Sequence, residues 1–214
     1  MSRIFLLLND PLVAGRMRAI IDAAAGLEVV GWANTLAQAR LQLGPSKATL
    51  VLADLQVADG WLTGFLPELT GASRHGRPKV LAAAISLDDS QLLEALCHGA
   101  DGYFVQGRSS EALILTIQQA LAGEATMAPE IARQVKAHFD ALEWDPTDFV
   151  GESLNPLHPS DTERLLLQWV VAGYLPHEIA WHLKITPNEV GRRIRTLYRK
   201  LQYDLRAGSL SLAA

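Results

Sequence analysis

Residues 186–201 read Thr-Pro-Asn-Glu-Val-Gly-Arg-Arg-Ile-Arg-Thr-Leu-Tyr-Arg-Lys-Leu, and one helical reading sorts their apolar and cationic side chains onto opposite sides. At about 100° per residue Val190, Ile194, Leu197 and Leu201 share a stripe, while Arg192, Arg195 and Arg199 stack on the other side with Arg193 and Lys200 beside them. One face is suited to packing, the other to phosphates and base edges. The start is written in as well: Thr186 can cap, Pro187 takes the first helical position, where no N–H is needed, and Glu189 can close a capping box. The pattern predicts a helix over 187–201.

A solvated surface helix would show the same pattern, so the residues ahead of it decide. Ser160-Asp161-Thr162-Glu163 is a second capping box, opening an apolar helix through Leu165, Leu166, Trp169 and Val170 that stops at Gly173. A short helix from Pro176 to about Leu183 follows, carrying Ile179, Ala180 and Leu183. Lys184-Ile185-Thr186 then leads straight into the basic helix. This is the spacing of a helix-turn-helix, in which the first helix braces the second in the major groove of DNA.

On these residues the segment 160–210 resembles the LuxR-type (GerE) DNA-binding domain. The matches are Ser160, Glu163, Gly173, Glu178-Ile179-Ala180, Val190 and Tyr198-Arg199-Lys200-Leu201. Three positions depart from the pattern: Leu175 replaces the usual capping Ser, Gln202 the usual Gly, and Gly191 sits inside the recognition helix, where it costs about 1 kcal/mol relative to Ala. Carried over by position, the resemblance implies Asn188, Gly191, Arg192 and Arg193 at base edges, and Arg195, Arg199 and Lys200 at phosphates. Arg grips guanine bidentately, so Arg192 and Arg193 are the candidates for specificity.

The chain has 214 residues, 49% hydrophobic and 20% charged, which fits two ordinary globular domains and excludes a disordered chain. A single cysteine, Cys97, excludes an internal disulfide, and the apolar run Ile4–Leu8 is too short for a signal peptide or a membrane span, so a cytoplasmic protein without a membrane partner is expected. The net charge of −4 is uneven: residues 1–150 hold 11 basic and 17 acidic side chains, residues 151–214 hold 8 and 6. Cationic character is confined to the end that carries the basic helix.

In the first half, short apolar runs near 3–8, 27–33, 48–54, 79–85 and 102–105 alternate with helical patterns near 12–25, 35–43, 62–70, 88–98 and 109–122. Five rounds of strand and helix predict a doubly covered parallel sheet, with ligand chemistry beyond the carboxyl ends of the strands. There stand Asn9, Asp10, Asp54, Ala84 to Ser86 and Gln106. Residues 3–122 resemble a receiver domain of the response-regulator superfamily through Pro11-Leu12-Val13, the run Gly26–Gly31, Asp54-Leu55, Asp59-Gly60 and Gly99-Ala100-Asp101-Gly102-Tyr103-Phe104. The implied fold class is α/β plus all-α, a CheY-like (flavodoxin-like) five-stranded parallel receiver followed by a four-helix LuxR-type helix-turn-helix domain. The implied boundaries are 1–122 for the receiver, 123–156 for a linker with one helix near 129–142, and 157–214 for the DNA-binding domain.

A receiver takes a phosphoryl group from a phosphohistidine, so a histidine kinase is an implied partner. It needs two acids for Mg²⁺, an acceptor Asp, a hydroxyl residue and a Lys. Asp54 falls on the acceptor position and, with Asp10, is the only metal-ligand candidate. The acidic pair lands on Leu8 and Asn9, with Asp10 one place late. Ala84 takes the hydroxyl position, where only a shifted loop could bring in Ser86, and Gln106 that of the Lys. An atypical receiver, without Mg²⁺ or any other cofactor, is therefore expected. Tyr103, the matching switch aromatic, is kept as a partner-surface candidate.

The six histidines form no ligand set, and no nucleophilic triad, phosphate loop or dinucleotide motif is found, so an enzyme is not expected. Breakers at Trp144-Asp145-Pro146, Gly151, Pro156 and Pro159 suggest a tether. The expectation is a transcription regulator on double-stranded DNA, acting as a homodimer on paired half-sites. The alternatives are conventional control through phosphorylation of Asp54, and a pseudo-receiver acting mainly by binding a regulatory protein.

Overall fold

The computed structural model describes residues 1–71, 76–141 and 158–211, with side chains as far as Asp204. The breakers at 144–156 lie outside the described residues. The chain divides into two compact units, Met1–Gly123 and Glu124–Ala214.

The first unit alternates β1 (Ser2–Leu7), α1 (Pro11–Asp22), β2 (Leu27–Ala33), α2 (Leu36–Ser46) and β3 (Leu50–Asp54). A two-residue pair, β4 (Gln56–Val57) and β5 (Gly60–Trp61), precedes α3 (Leu62–Gly71), β6 (Lys79–Ala84), α4 (Ser90–His98), β7 (Gly102–Val105) and α5 (Ser110–Leu121). The five long strands form one parallel sheet in the order β2-β1-β3-β6-β7. Its centre is apolar on both faces, with Ile4 to Leu8 and Leu50 to Ala53 fully buried. Continuous burial rather than alternation is what a sheet covered on both sides requires. Ile4, Leu6, Leu50, Leu52, Leu81 and Ala83 pack under Met17, Ile21, Leu113 and Ile117 of α1 and α5. The chain leaves β1 to one side for β2 and to the other for β3, so the switch point lies between β1 and β3, where a doubly wound sheet opens its ligand crevice.

The second unit holds α6 (Pro129–Ala141), α7 (Asp161–Val171), α8 (Pro176–Leu183) and α9 (Pro187–Ser211). Ser160 and Glu163 form the reciprocal box that starts α7, and Gly173 ends it at φ +88°, a conformation that costs glycine nothing. At α8 Leu175 has no hydroxyl to offer, and only the return half survives: Glu178 Oε2 accepts the Leu175 N–H at 2.7 Å. The basic helix runs ten residues past the expected end at Leu201 because Gln202, unlike a glycine, does not interrupt it. Helix α6, in the segment expected to be a linker, buries Ile131, Ala132, Val135 and Phe139 and packs on α7.

Candidate functional site

The turn into α9 is tight. Lys184 takes the left-handed conformation (φ 54°, ψ 42°), and the Ile185 N–H reaches back to Ala180 O at 3.0 Å. Thr186 Oγ1 accepts the Glu189 N–H at 3.2 Å, fixing the first turn of α9. The Glu189 carboxylate does not complete the box; it lies against Arg192 at 3.3 Å and Arg193 at 3.5 Å. Val190, Ile194, Leu197 and Leu201 are all buried, as their stripe requires. Asn188, Arg192, Thr196 and Arg199 are exposed at spacings of four, four and three, and form the outward edge of the helix. Thr196, not among the residues that the sequence singles out, lies between Arg192 and Arg199 on the same exposed stripe.

Two expected phosphate contacts are placed elsewhere. Arg195 is 2% exposed, because it lies on the edge of the polar face nearest Gly191 and Tyr198, and residues 124–126 cover that edge. The Ala125 N–H donates to Gly191 O at 3.0 Å, and Tyr198 Oη donates to Thr126 O at 2.9 Å. Lys200, with 16% of its side chain exposed, donates to Glu163 Oε2 at 2.6 Å and His158 O at 2.8 Å, so its ammonium joins α9 to the start of α7. Gly191 is not a free backbone spot either. A Cβ there would come within 3.0 Å of Glu124 Cβ and 3.4 Å of Ala125 O. Gly191→Ala is therefore expected to lower the stability of the second unit by about 1 kcal/mol, in place of the gain of about 1 kcal/mol that helix propensity alone gives. Urea denaturation of the variant checks the sign.

At the carboxyl edge of the sheet, Asn9, Asp54, Ala84 and Gln106 come together. Asp54 Oδ1 accepts from Gln106 Nε2 at 2.7 Å, and Oδ2 from the Asn9 N–H at 2.8 Å. The Gln106 N–H in turn donates to Ala84 O at 2.8 Å. Asp10 is diverted to the cap of α1, where Oδ1 accepts the Leu12 N–H at 2.7 Å. Leu8 is buried in the core, Ser86 accepts the Asp88 N–H on the surface, and Tyr103 is buried, so it is a packing residue rather than a partner surface. These residues do not fit Mg²⁺: both oxygens of Asp54 face N–H donors, and Asp10 is committed to a helix end.

Burial pushes the Asp54 carboxyl above its ordinary range; the bonds from Asn9 and Gln106 pull it down, and the charge of Asp10 adds slightly to the rise. The folded chain thus holds a proton on Asp54 more tightly than the unfolded chain. Its stabilising contribution is complete below the ordinary carboxylate pKa and is lost as pH rises through the raised value. Asp54→Asn, with the Gln106 amide turned to present its oxygen to the new NH₂ group, is expected to raise the stability of the first unit at pH 7, with the gain vanishing in acid. Thermal melts across pH check it, and a loss of stability at pH 7 would contradict it.

No family model matches the chain. It is 28% identical over 99% of its length to the transcriptional regulatory protein MctR of Rhizobium johnstonii, covering 92% of that protein. It is 27% identical over 96% of its length to the nitrate/nitrite response regulator protein NarL of Escherichia coli, covering 91% of it. Among solved structures, a LuxR-family two-component response regulator from Aurantimonas is 25% identical with a TM-score of 0.54, over 64% of this chain and 97% of that one. The Salmonella typhimurium RcsB response regulator shares the fold with a TM-score of 0.56 at 13% identity, over 96% of this chain and 100% of that one. In sequence and in the fold of its two units, the chain is similar to response regulators of the LuxR family.

Proposed function

We propose that this chain is a cytoplasmic, non-enzymatic transcription regulator that binds duplex DNA through α9 and whose receiver is not switched by phosphorylation of Asp54. The observation that carries the first part is the outward stripe Asn188, Arg192, Thr196 and Arg199 on a helix braced by α7 and α8. Arg193 flanks the stripe and shares Glu189 with Arg192. The second part rests on the amide of Gln106, which fills the space of a charged Lys and already satisfies one oxygen of Asp54. A neutral amide offers a phosphoryl group a hydrogen bond but no charge. Two copies on paired half-sites fit the small surface that a single helix-turn-helix buries.

The test is binding of the full chain to duplex fragments selected from random sequence, over a range of salt. Affinity should fall steeply with salt and stay unchanged when acetyl phosphate and Mg²⁺ are added. Salt-independent or absent binding would overturn the DNA reading, and a phosphodonor that tightens binding would overturn the receiver reading.

A further inference from the structure

Gly191, Arg195 and Tyr198 fall at spacings of four and three on α9, a stripe turned about 60–120° round the helix from Arg192. It flanks the outward edge of Asn188, Arg192, Thr196 and Arg199, and Gly191 is the fifth residue of the helix, close to the end that reads bases. Residues 124–126 lie along this stripe, fastened by the bond from the Ala125 N–H to Gly191 O and that from Tyr198 Oη to Thr126 O. Glu124 and Ala125 are each 7% exposed. A helix with its side chains is about 10–12 Å across, and the major groove of DNA about 12 Å wide. The helix alone fills the groove, so a chain segment laid against its flank finds no room beside the phosphates.

We propose that residues 124–126 form a strap that closes over the recognition helix in the free chain and must leave it before the helix enters DNA. The proposal rests on the reading of α9 as the DNA-binding helix. Departure of the strap uncovers Arg195 on one flank of the helix, where the phosphates of the groove wall would stand. Gly191 is what lets the strap close. A glycine weakens a helix interior, yet a Cβ here would stand 3.0 Å from Glu124 Cβ, so a larger residue would hold the strap off. The affinity measured for the chain is then that of its open form, reduced by the fraction of molecules that are open.

Joining the strap to the helix tests this. In the full chain, Glu124→Cys combined with Gly191→Cys needs its two Cβ atoms to part by under about 1 Å to reach disulfide geometry, and the native Cys97 is buried. Oxidised, this variant should bind a duplex selected with the parent chain at least about tenfold more weakly than the same sample reduced with dithiothreitol. The reduced sample controls for folding and for the side chains replaced. Ala125→Pro removes the donor to Gly191 O, and Tyr198→Phe removes the hydroxyl from Thr126 O. Each should tighten binding about threefold or more, because the closed form loses one hydrogen bond; a bond that only stabilised the binding fold would give the opposite sign. An oxidised variant that binds as its reduced form does, or single variants no tighter than the parent, would overturn the strap and leave the DNA reading standing. A parent chain that binds no duplex would overturn both.

Discussion

Lys200→Met is expected to destabilise the second unit by about 3 kcal/mol, a large share of the 5–15 kcal/mol that holds a domain together. The ammonium meets a carboxylate that is itself nearly buried, Glu163, whose Oε2 also accepts the Ser160 N–H at 2.7 Å. Methionine fills much the same volume but leaves that carboxylate with one amide donor in place of a cation. The cost comes from the charge left behind rather than from the contact removed. Pairing the change with Glu163→Gln should therefore recover part of the loss. Denaturation followed by the fluorescence of Trp169 and Trp181 reads the transition. If Lys200→Met melts like the parent chain and instead loses affinity for DNA, the lysine serves phosphates and the structural role is wrong.

Arg192→Ala combined with Arg193→Ala should weaken duplex binding about a hundredfold with little change in stability. Arg192 is 56% exposed at its side chain and Arg193 31%. Each bidentate contact to guanine contributes about 1–3 kcal/mol of discrimination. In the free chain both side chains lie against Glu189, but an exposed pair of this kind is worth less than about 1 kcal/mol, so releasing them to DNA takes little. The loss should be greatest on the preferred sequence and smaller on random duplex, because base contacts carry the discrimination. Unchanged binding of the double variant would remove α9 from the interface.

The five strands were legible because each is a nearly unbroken apolar run, which a sheet covered on both faces demands. The apolar stripe of α9 was legible for a related reason: helical period alone assigns Val190, Ile194, Leu197 and Leu201 to one side. The burial of Arg195 was not, since its cause is a segment some seventy residues earlier that lies over Gly191 and Tyr198. A wheel drawn on one helix has no knowledge of that cover. The partner of Lys200 was hidden for the same reason: a wheel sets the lysine in the basic run, and only the fold delivers Glu163 from α7 to meet it. The gathering of Asn9, Asp54, Ala84 and Gln106, by contrast, was legible, because residues at the carboxyl ends of neighbouring parallel strands meet at one edge of the sheet, where Gln106 bonds Asp54 directly.

The short segment lying across α9 also bears on how the DNA-reading part should be excised. A fragment cut at residue 157, where the domain was expected to begin, would lack the backbone donor to Gly191, the acceptor for Tyr198 and the apolar side of α6. It would leave Tyr198 and the inner edge of the recognition helix bare to water, with an aromatic surface prone to self-association. A fragment that starts at Glu124 keeps all three.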